Sequence, residues 1–140
     1  MDLTIIRAIL LERGIAYAVT DSSLNILDLN GRTDLFYGES GQAESVSSLL
    51  DLVPELIGCE AVLNDILAGG TPYFELPLVN RTVADQTIYL MMLTLPHHDQ
   101  SGQIVGLIHV MEDVTQLGMR NQQLEQQRNV LRLLLDKLGD

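Results

Sequence analysis

Cysteine, aromatic residues and basic residues are all scarce in this sequence. Its 140 residues include one cysteine, no tryptophan and two phenylalanines. Because a single thiol can form neither an intramolecular disulfide nor a multi-thiolate metal site, we expect a protein of the reducing cytoplasm. Eight basic residues face 19 acidic ones, for a net charge of −11. Nucleic acids and anionic membranes are themselves polyanions, so we expect neither as a partner.

Long apolar runs are also missing. The stretch at residues 3–11 is broken by Arg7 and is too short for a membrane span or a signal peptide. Hydrophobic residues nevertheless make up 46% of the chain. A chain of this length buries about two-thirds of its unfolded surface, which this composition can supply. The sequence therefore predicts one globular domain.

The acidic excess is confined to one part of the chain. Residues 1–112 hold 15 acidic and 4 basic residues, whereas residues 113–140 hold four of each. This split indicates two segments with different roles. With the helical pattern near the start, we divide the chain into an N-terminal helix at 1–13, a core at 14–112 and a C-terminal helix at 113–140.

The first elements follow from periodicity and turn residues. Apolar residues at helical spacing predict a short helix over residues 3–13, with Asp2 as its N-cap and Gly14 as its stop. Two strand-like runs at 15–20 and 24–29 are separated by turn-forming residues, which predicts a β-hairpin.

The remaining core elements alternate less regularly. One apolar stripe over residues 55–68 predicts a single helix of about three to four turns, ended by two glycines. Strand-like runs follow at residues 72–79, 86–95 and 103–112. The polar linkers between them lack helical periodicity, so consecutive antiparallel pairing is expected. The predicted fold class is α+β.

The C-terminal segment carries a heptad pattern. Asp113 and Gln116 have the form of a helix start, and the helix would run about 39 Å at 1.5 Å per residue, longer than one face of a small domain. We therefore favour a parallel coiled-coil homodimer over a helix that lies on its own domain. Polar residues in the seam would set register and strand number. The seam comprises Leu117, Leu124, Leu131 and Leu138, with Val114, Asn121, Arg128 and Leu135 as companions.

Three segments in the right order resemble the PAS domain, a small sensor fold of bacterial signalling proteins. IAYAVTDSSLNILDLN resembles the opening hairpin of the family, and LAGGTPYFELPL resembles the turn from its long helix into the third strand. DQSGQIVGLIHVMEDVT resembles the last hairpin, the final strand and the junction to a signalling helix. The resemblance covers roughly residues 14–116.

This resemblance implies a five-stranded antiparallel sheet with helices on one face, flanked by an N-terminal helix and a long C-terminal coiled-coil helix. It also implies an interior pocket that holds a ligand or cofactor in some members, and an output domain after residue 140. Asp113 and Thr115 would then relay a signal from sheet to helix. Simple helix capping is the alternative role for both residues.

Known cofactor signatures of the family are not matched. Cys59 lies in ELIGCEAV, without the Asn-Cys-Arg-Phe-Leu-Gln motif of flavin-binding members, and fits a small core residue better. Haem-binding members often carry the axial histidine on the long helix, yet residues 55–68 contain none. His97 and His98 are expected in a hairpin loop, and no metal site is predicted because a fourth ligand is missing. The cofactor therefore stays unknown, with flavin and haem disfavoured.

An interior pocket would be lined by the long helix and the facing sheet, although ordinary core packing explains the same residues equally well. His109 fits either a hydrogen-bonded core histidine or a pocket residue. In the run QTIYLMMLTL the side chains on both faces of the strand are apolar, so the sequence does not determine which face is the inner one. The outer face would then be covered by the N-terminal helix or by a partner chain. The candidates are Leu63, Ile66, Leu67, Phe74, Leu76, Met91, Leu93, Leu107 and His109.

The leading hypothesis is a cytoplasmic sensory module that homodimerises through its N- and C-terminal helices and signals to an output domain. One alternative is a redox or gas sensor that binds haem or another cofactor. Another is a structural oligomerisation domain without a ligand. No nucleophile, base and orienting acid can be assembled from three histidines, so an enzyme is not expected.

Overall fold

The computed structural model describes residues 3–37, 48–83 and 85–138. Its five strands form one antiparallel sheet, as the pattern of alternating runs predicts. They are β1 (Ile15–Thr20), β2 (Ile26–Gly31), β3 (Phe74–Val83), β4 (Gln86–His98) and β5 (Ile104–Asp113). The spatial order is β2-β1-β5-β4-β3, so β5 inserts beside β1 at the centre of the sheet.

Short helices connect the second and third strands, and longer helices flank the sheet. None of the helices that the structure describes is long and apolar enough to cross a membrane. The helices are α1 (Leu3–Arg13), α2 (Asp34–Tyr37), α3 (Leu49–Leu52), α4 (Glu60–Leu67) and α5 (Thr115–Leu138), with one 3-10 turn at Pro54–Leu56.

The single helix predicted over residues 55–68 is wrong, because the chain forms the 3-10 turn and then α4. Gly58 has a φ of 95°, which a helix cannot accommodate, and it separates the two pieces. The Glu60 side chain accepts the Gly58 backbone N–H at 2.8 Å. Cys59 is the half-buried N-cap of α4 rather than a core residue.

The hairpin of β3 and β4 is longer than predicted. Val83 pairs with Gln86, so the polar stretch at residues 80–83 continues β3 instead of forming a linker. Strand β3 lies at the sheet edge, where polar side chains are tolerated. At its other end β4 continues through His98, so the two histidines predicted in a loop lie on the strand.

The core lies between one face of the sheet and the short helices. On β4, Leu90, Met92 and Thr94 are buried, whereas the residues between them are half-buried on the opposite face. The helices contribute the other half of the core. Its fully buried members include Leu49, Leu56, Leu63 and Ile66 from the helical side and Ala16, Ala18, Leu107 and Met111 from the sheet.

The N-terminal helix lies against β1 and β2 but keeps apolar side chains in contact with solvent. Ile5, Ile9 and Leu11 are 58%, 55% and 54% exposed. Such a set of exposed apolar side chains on one short helix is typical of an interaction surface.

The C-terminal helix projects away from the core. Every side chain from residue 123 to residue 137 is exposed. Its 24 residues span about 36 Å at 1.5 Å per residue. The alternative in which this helix lies on its own domain is therefore wrong.

Candidate functional site

The structure gathers most of the predicted pocket residues at the interior face of the sheet. Leu63, Ile66, Leu107 and His109 are fully buried. Leu67, Phe74 and Leu76 are partly buried and pack against the same core.

Met91 and Leu93 do not belong to this interior set, so their prediction as pocket residues is wrong. Both are half-buried, on the face of β4 opposite to Leu90, Met92 and Thr94. Apolar residues occupy both faces of this strand, so the hydrophobic pattern carried no signal for its orientation.

His109 is a fully buried polar residue in the middle of β5. Its Nδ1 lies 2.9 Å from the Thr94 hydroxyl, on the neighbouring strand. The Phe36 ring lies close to it, with ring centroids 6.4 Å apart and an angle of 50° between the ring planes. Nε2 has no hydrogen-bond partner among the described residues. A buried polar atom left unpaired is costly and marks a position that needs an explanation.

Burial lowers the pKa of His109 from 6.5 to about 4, because the apolar core disfavours the charged imidazolium. The nearby Glu55 carboxylate opposes this effect, whereas the Arg81 guanidinium adds to it. The imidazole is therefore neutral at physiological pH.

Arg81 and Glu55 form a clasp beside this histidine. Arg81 donates two hydrogen bonds to the Glu55 carboxylate, Nε and Nη2 each at 2.7 Å, and a third from Nη1 to the Leu35 carbonyl at 2.6 Å. The side chains are only 17% and 23% exposed. Burial raises the pKa of Glu55, but the bonds from Arg81 outweigh it and hold that pKa below its usual value.

Sequence reasoning missed this clasp. The two residues lie 26 positions apart, and a register shift between Leu76 and Val79 places Arg81 on the core side of β3. A bulge of this kind reverses the expected alternation. The one available signal is that Arg81 is the only basic residue between Arg32 and Arg120.

Replacing Arg81 with methionine should lower the free energy of unfolding by about 2 kcal/mol, because it leaves the Glu55 carboxylate half-buried and unpaired. Urea denaturation at pH 7 measures this loss. The control is Arg32→Met, which removes the more exposed pair with Asp34 and should cost about 0.5 kcal/mol. Equal losses in both variants would contradict the structural role of the clasp.

A second cluster joins the sheet to α5. The Asp113 carboxylate accepts the Thr115 backbone N–H at 3.0 Å and also the Thr115 hydroxyl. The same hydroxyl accepts the Tyr89 backbone N–H at 3.2 Å, and the Val114 N–H donates to the Tyr89 carbonyl at 2.8 Å. The first turn of α5 is thus bonded directly to β4 and β5. We name Tyr89, Asp113, Val114 and Thr115 the joint.

Gly14, the residue before β1, is also bonded to the joint. The Asp113 N–H donates to the Gly14 carbonyl at 2.9 Å. Gly14 has a φ of 67°, a left-handed backbone conformation that favours glycine. Arg32 pairs with Asp34, whose hydrogen bonds raise the pKa of Arg32, and the Asp113 charge adds to this effect. The ends of α1, β2 and β5 therefore meet where α5 begins.

Comparison with known families decides the classification. The family model described as the PAS fold matches residues 13–117, well over half of the chain. The chain belongs to the PAS family. No curated protein matches the sequence of this PAS domain.

Solved structures share the fold at low sequence identity. A PAS domain from Colwellia psychrerythraea has a TM-score of 0.54 and 18% identity, and the match covers 82% of this chain and 99% of that one. A sensor histidine kinase from Vibrio cholerae has a TM-score of 0.52 and 15% identity, and the match covers 80% of this chain and 91% of that one. The Vibrio cholerae VqmA dimer has a TM-score of 0.61 and 14% identity, and the match covers 84% of this chain and 53% of that one. The PAS domain thus spans about half of VqmA.

The predicted heptad residues lie on α5, apart from Val114, which belongs to the joint. Leu124, Leu131 and Leu135 are 58%, 60% and 68% exposed. Arg128 is exposed as well. The side chains of Leu117, Asn121 and Leu138 lie outside the described part of the structure. A single chain therefore buries none of the seam residues whose helical side chains are described.

The end of β4 carries side chains of metal-ligating types, for which the sequence predicts no metal site. His98 and Asp99 are exposed, and the Asp99 carboxylate accepts the backbone N–H groups of Ser101 and Gln103 in the turn after β4. Among the described residues, no three His, Cys, Asp or Glu side chains gather closely enough to hold a metal ion.

Replacing Thr115 with valine should weaken the joint of the PAS domain by about 1 to 2 kcal/mol, because the Tyr89 N–H loses its acceptor and Asp113 loses a donor. Hydrogen exchange at the Tyr89 amide should accelerate roughly tenfold, since 1.4 kcal/mol corresponds to a factor of ten. Thr82→Val, at an exposed position of β3, is the matched control. Unchanged exchange at Tyr89 would show that the hydroxyl does not secure the joint.

Proposed function

We propose that this PAS domain is a cytoplasmic sensory module that forms a homodimer through α5 and passes a conformational change from its sheet into a parallel coiled coil. The observation that carries the proposal is the exposure of the seam leucines on α5, since Leu124, Leu131 and Leu135 are 58% to 68% accessible in one chain. Leucines at heptad spacing are buried when a second helix packs against them.

Charge supports pairing through this helix. The segment from residue 113 onward has four acidic and four basic residues, whereas the rest of the chain has a balance of −11. Two copies of the core repel each other, and two copies of α5 do not. Association through α5 keeps the acidic cores apart. The exposed apolar side chains of α1 offer a second contact near the start of the same helix pair.

The joint supplies a physical route for a signal. Asp113 ends β5, and the Thr115 hydroxyl bonds to the backbone of β4. A shift of either strand therefore changes the hydrogen bonds that orient the first turn of α5. Because both helices of a coiled coil share one register, a rotation at the joint would be transmitted to a downstream output domain. We place any catalytic activity in that output domain.

The similar structures include a dimer and a sensor kinase. VqmA is described as a dimer with a DNA target, and another similar chain belongs to a sensor histidine kinase. We assign this chain the sensory and dimerisation role and leave nucleic-acid contact to other domains, since its own charge is strongly negative. The alternative function, a structural dimer without a ligand, would use the same seam but would show no conformational change at the joint.

Sedimentation equilibrium tests the dimer directly. We expect twice the 15.5 kDa mass of one chain at tens of micromolar protein. The monomer mass throughout that range would overturn the proposal.

Disulfide trapping tests the parallel orientation. In a Cys59→Ser background, Leu131→Cys should crosslink readily because a parallel pair places each seam residue beside its own copy. Leu133→Cys, on the opposite side of the helix, is the matched control and should crosslink poorly. Equal crosslinking at both positions would exclude the proposed seam.

A further inference from the structure

Arg128 places a positive charge inside the apolar seam of α5. It lies between Leu124 and Leu131, about one helical turn from each, and its side chain is exposed in the single chain. In a parallel coiled coil each seam residue faces its own copy on the other helix. Two copies of α5 therefore bring two guanidinium groups to one layer of the seam, and like charges at this distance repel.

Within one chain, Arg128 has no counter-charge among the described residues. Neither of the ion pairs that they form involves α5. On a helix, a side chain reaches the residues three and four positions away. Of the four residues at these spacings from Arg128, Glu125 alone is acidic, and the others are two leucines and Arg132.

In the dimer, Glu125 has a different partner. The positions that flank the seam form salt bridges between the helices, and a flanking residue of one helix meets the flanking residue five positions further along the other. Arg120 and Glu125 have this spacing and opposite charges. A parallel pair thus joins Arg120 of each copy to Glu125 of the other, and Arg128 keeps an uncompensated charge.

The acidic core is too distant to supply the missing negative charge. Arg128 lies about 20 Å along the helix from Thr115, whereas charges in water are screened within about 8 Å at physiological ionic strength. Residues 114–135 hold three arginines and one glutamate, so this stretch carries a charge of +2 in each copy of a chain that is otherwise strongly acidic. An anion that approaches this part of α5 is therefore attracted.

We propose that the two Arg128 side chains of the α5 dimer bind one free tetrahedral oxyanion between them, of the inorganic phosphate or sulfate type. A guanidinium presents parallel N–H donors that match two oxygens of such an anion, and four oxygens can accept from both copies. The anion replaces repulsion in this layer by attraction, so its binding tightens the dimer. The inference rests on the proposed dimer and adds a chemical regulation to it, at a site that neither copy forms alone.

The dimer dissociation constant of the full chain tests the site. Sedimentation equilibrium measures it in low millimolar sodium sulfate and in sodium chloride of equal ionic strength. We expect sulfate to lower the constant about tenfold when its concentration is ten times its own dissociation constant. Low concentrations avoid the general strengthening of apolar association by sulfate. Titration calorimetry of the dimer should give one anion for two chains, and equal dissociation constants in the two salts would overturn the proposal.

Substitutions locate the effect. Arg128→Leu should dimerise tightly and show no response to sulfate, because it removes both the repulsion and the donors. Arg128→Lys keeps the charge but lacks the paired donors, so its response should be weaker. Arg132→Gln, which removes an arginine beside the seam, is the matched control and should keep the response. A response that persists in Arg128→Leu would show an adventitious ion only and would overturn the proposal.

Two further comparisons complete the test. Adenosine monophosphate carries the same oxyanion on a body too large for one layer of a seam, so it should act more weakly than inorganic phosphate. An equal or stronger effect would overturn the assignment to a free anion. A dimer whose dissociation constant ignores both anions refutes the anion site alone, whereas a chain that stays monomeric in every salt refutes the proposed function as well.

Discussion

The double variant Leu124→Lys/Leu131→Lys should be a monomer at concentrations where the wild-type chain is a dimer. Each buried leucine contributes about 1.5 to 3 kcal/mol, and four leucines leave the seam of one dimer. Lysines facing each other across the seam also repel. We expect the dimer dissociation constant to rise by more than about 1,000-fold, since every 1.4 kcal/mol is a factor of ten. Sedimentation equilibrium measures the change.

The fold of the core should survive this substitution, because both side chains are exposed in the single chain. Circular dichroism and thermal unfolding of the core check that point. Leu133→Lys is the matched control, since Leu133 is 64% exposed but lies off the seam, and it should leave the dimer intact. Arg128→Leu should act in the opposite direction by replacing a charge within the seam. Equal dissociation of the Leu133 and seam variants would refute the heptad assignment.

The free energy of unfolding should fall by about 2 kcal/mol between pH 7 and pH 5 through His109 alone. Its pKa is about 4 in the folded chain against 6.5 when unfolded. Between these values the unfolded state binds a proton that the folded state does not, so acid favours unfolding. The effect is absent above the unfolded pKa and grows to about 3 kcal/mol near pH 4, where one pKa unit corresponds to 1.36 kcal/mol. Urea denaturation at several pH values measures it.

Above pH 5 the change in the free energy of unfolding comes from His109 and not from Glu55. Glu55 also loses stabilisation in acid because its folded pKa is lowered, but that loss begins only near its usual value of 4.5. His109→Gln, which cannot take up the proton, should therefore flatten the curve between pH 7 and pH 5. The same slope in this variant and in the wild-type chain would show that His109 is not the buried neutral base.

Much of the fold follows from local patterns. The hairpin at the start, the three later strands and the terminal helices each have a periodicity or a stop signal of their own. The heptad spacing of Leu124 and Leu131 also predicts an exposed seam, because a helix longer than the domain cannot be covered by it. The order of the resembling segments was sufficient to indicate a PAS domain, which the family match confirms.

The interior was predicted less completely. His109 was named as either a core or a pocket residue, and its burial and its bond to Thr94 could not be read from one strand. The inward face of β4 was undetermined because both sets of alternating residues are apolar, and Met91 and Leu93 were placed on the wrong side. The segment at residues 55–68 is divided into two helices by the positive φ of Gly58. The apolar stripe continues across this break, so the hydrophobic pattern did not indicate it.

Local signals describe each element by itself, so they account for the strands, the helix ends and the heptad seam. The Arg81–Glu55 clasp and the joint depend on long-range packing. The clasp links residues 26 positions apart through a register shift in β3. The joint brings Tyr89 next to Asp113, and Gly14 contacts Asp113, because β5 lies between β1 and β4. Such contacts have no local periodicity, since they form only when the sheet brings distant segments together.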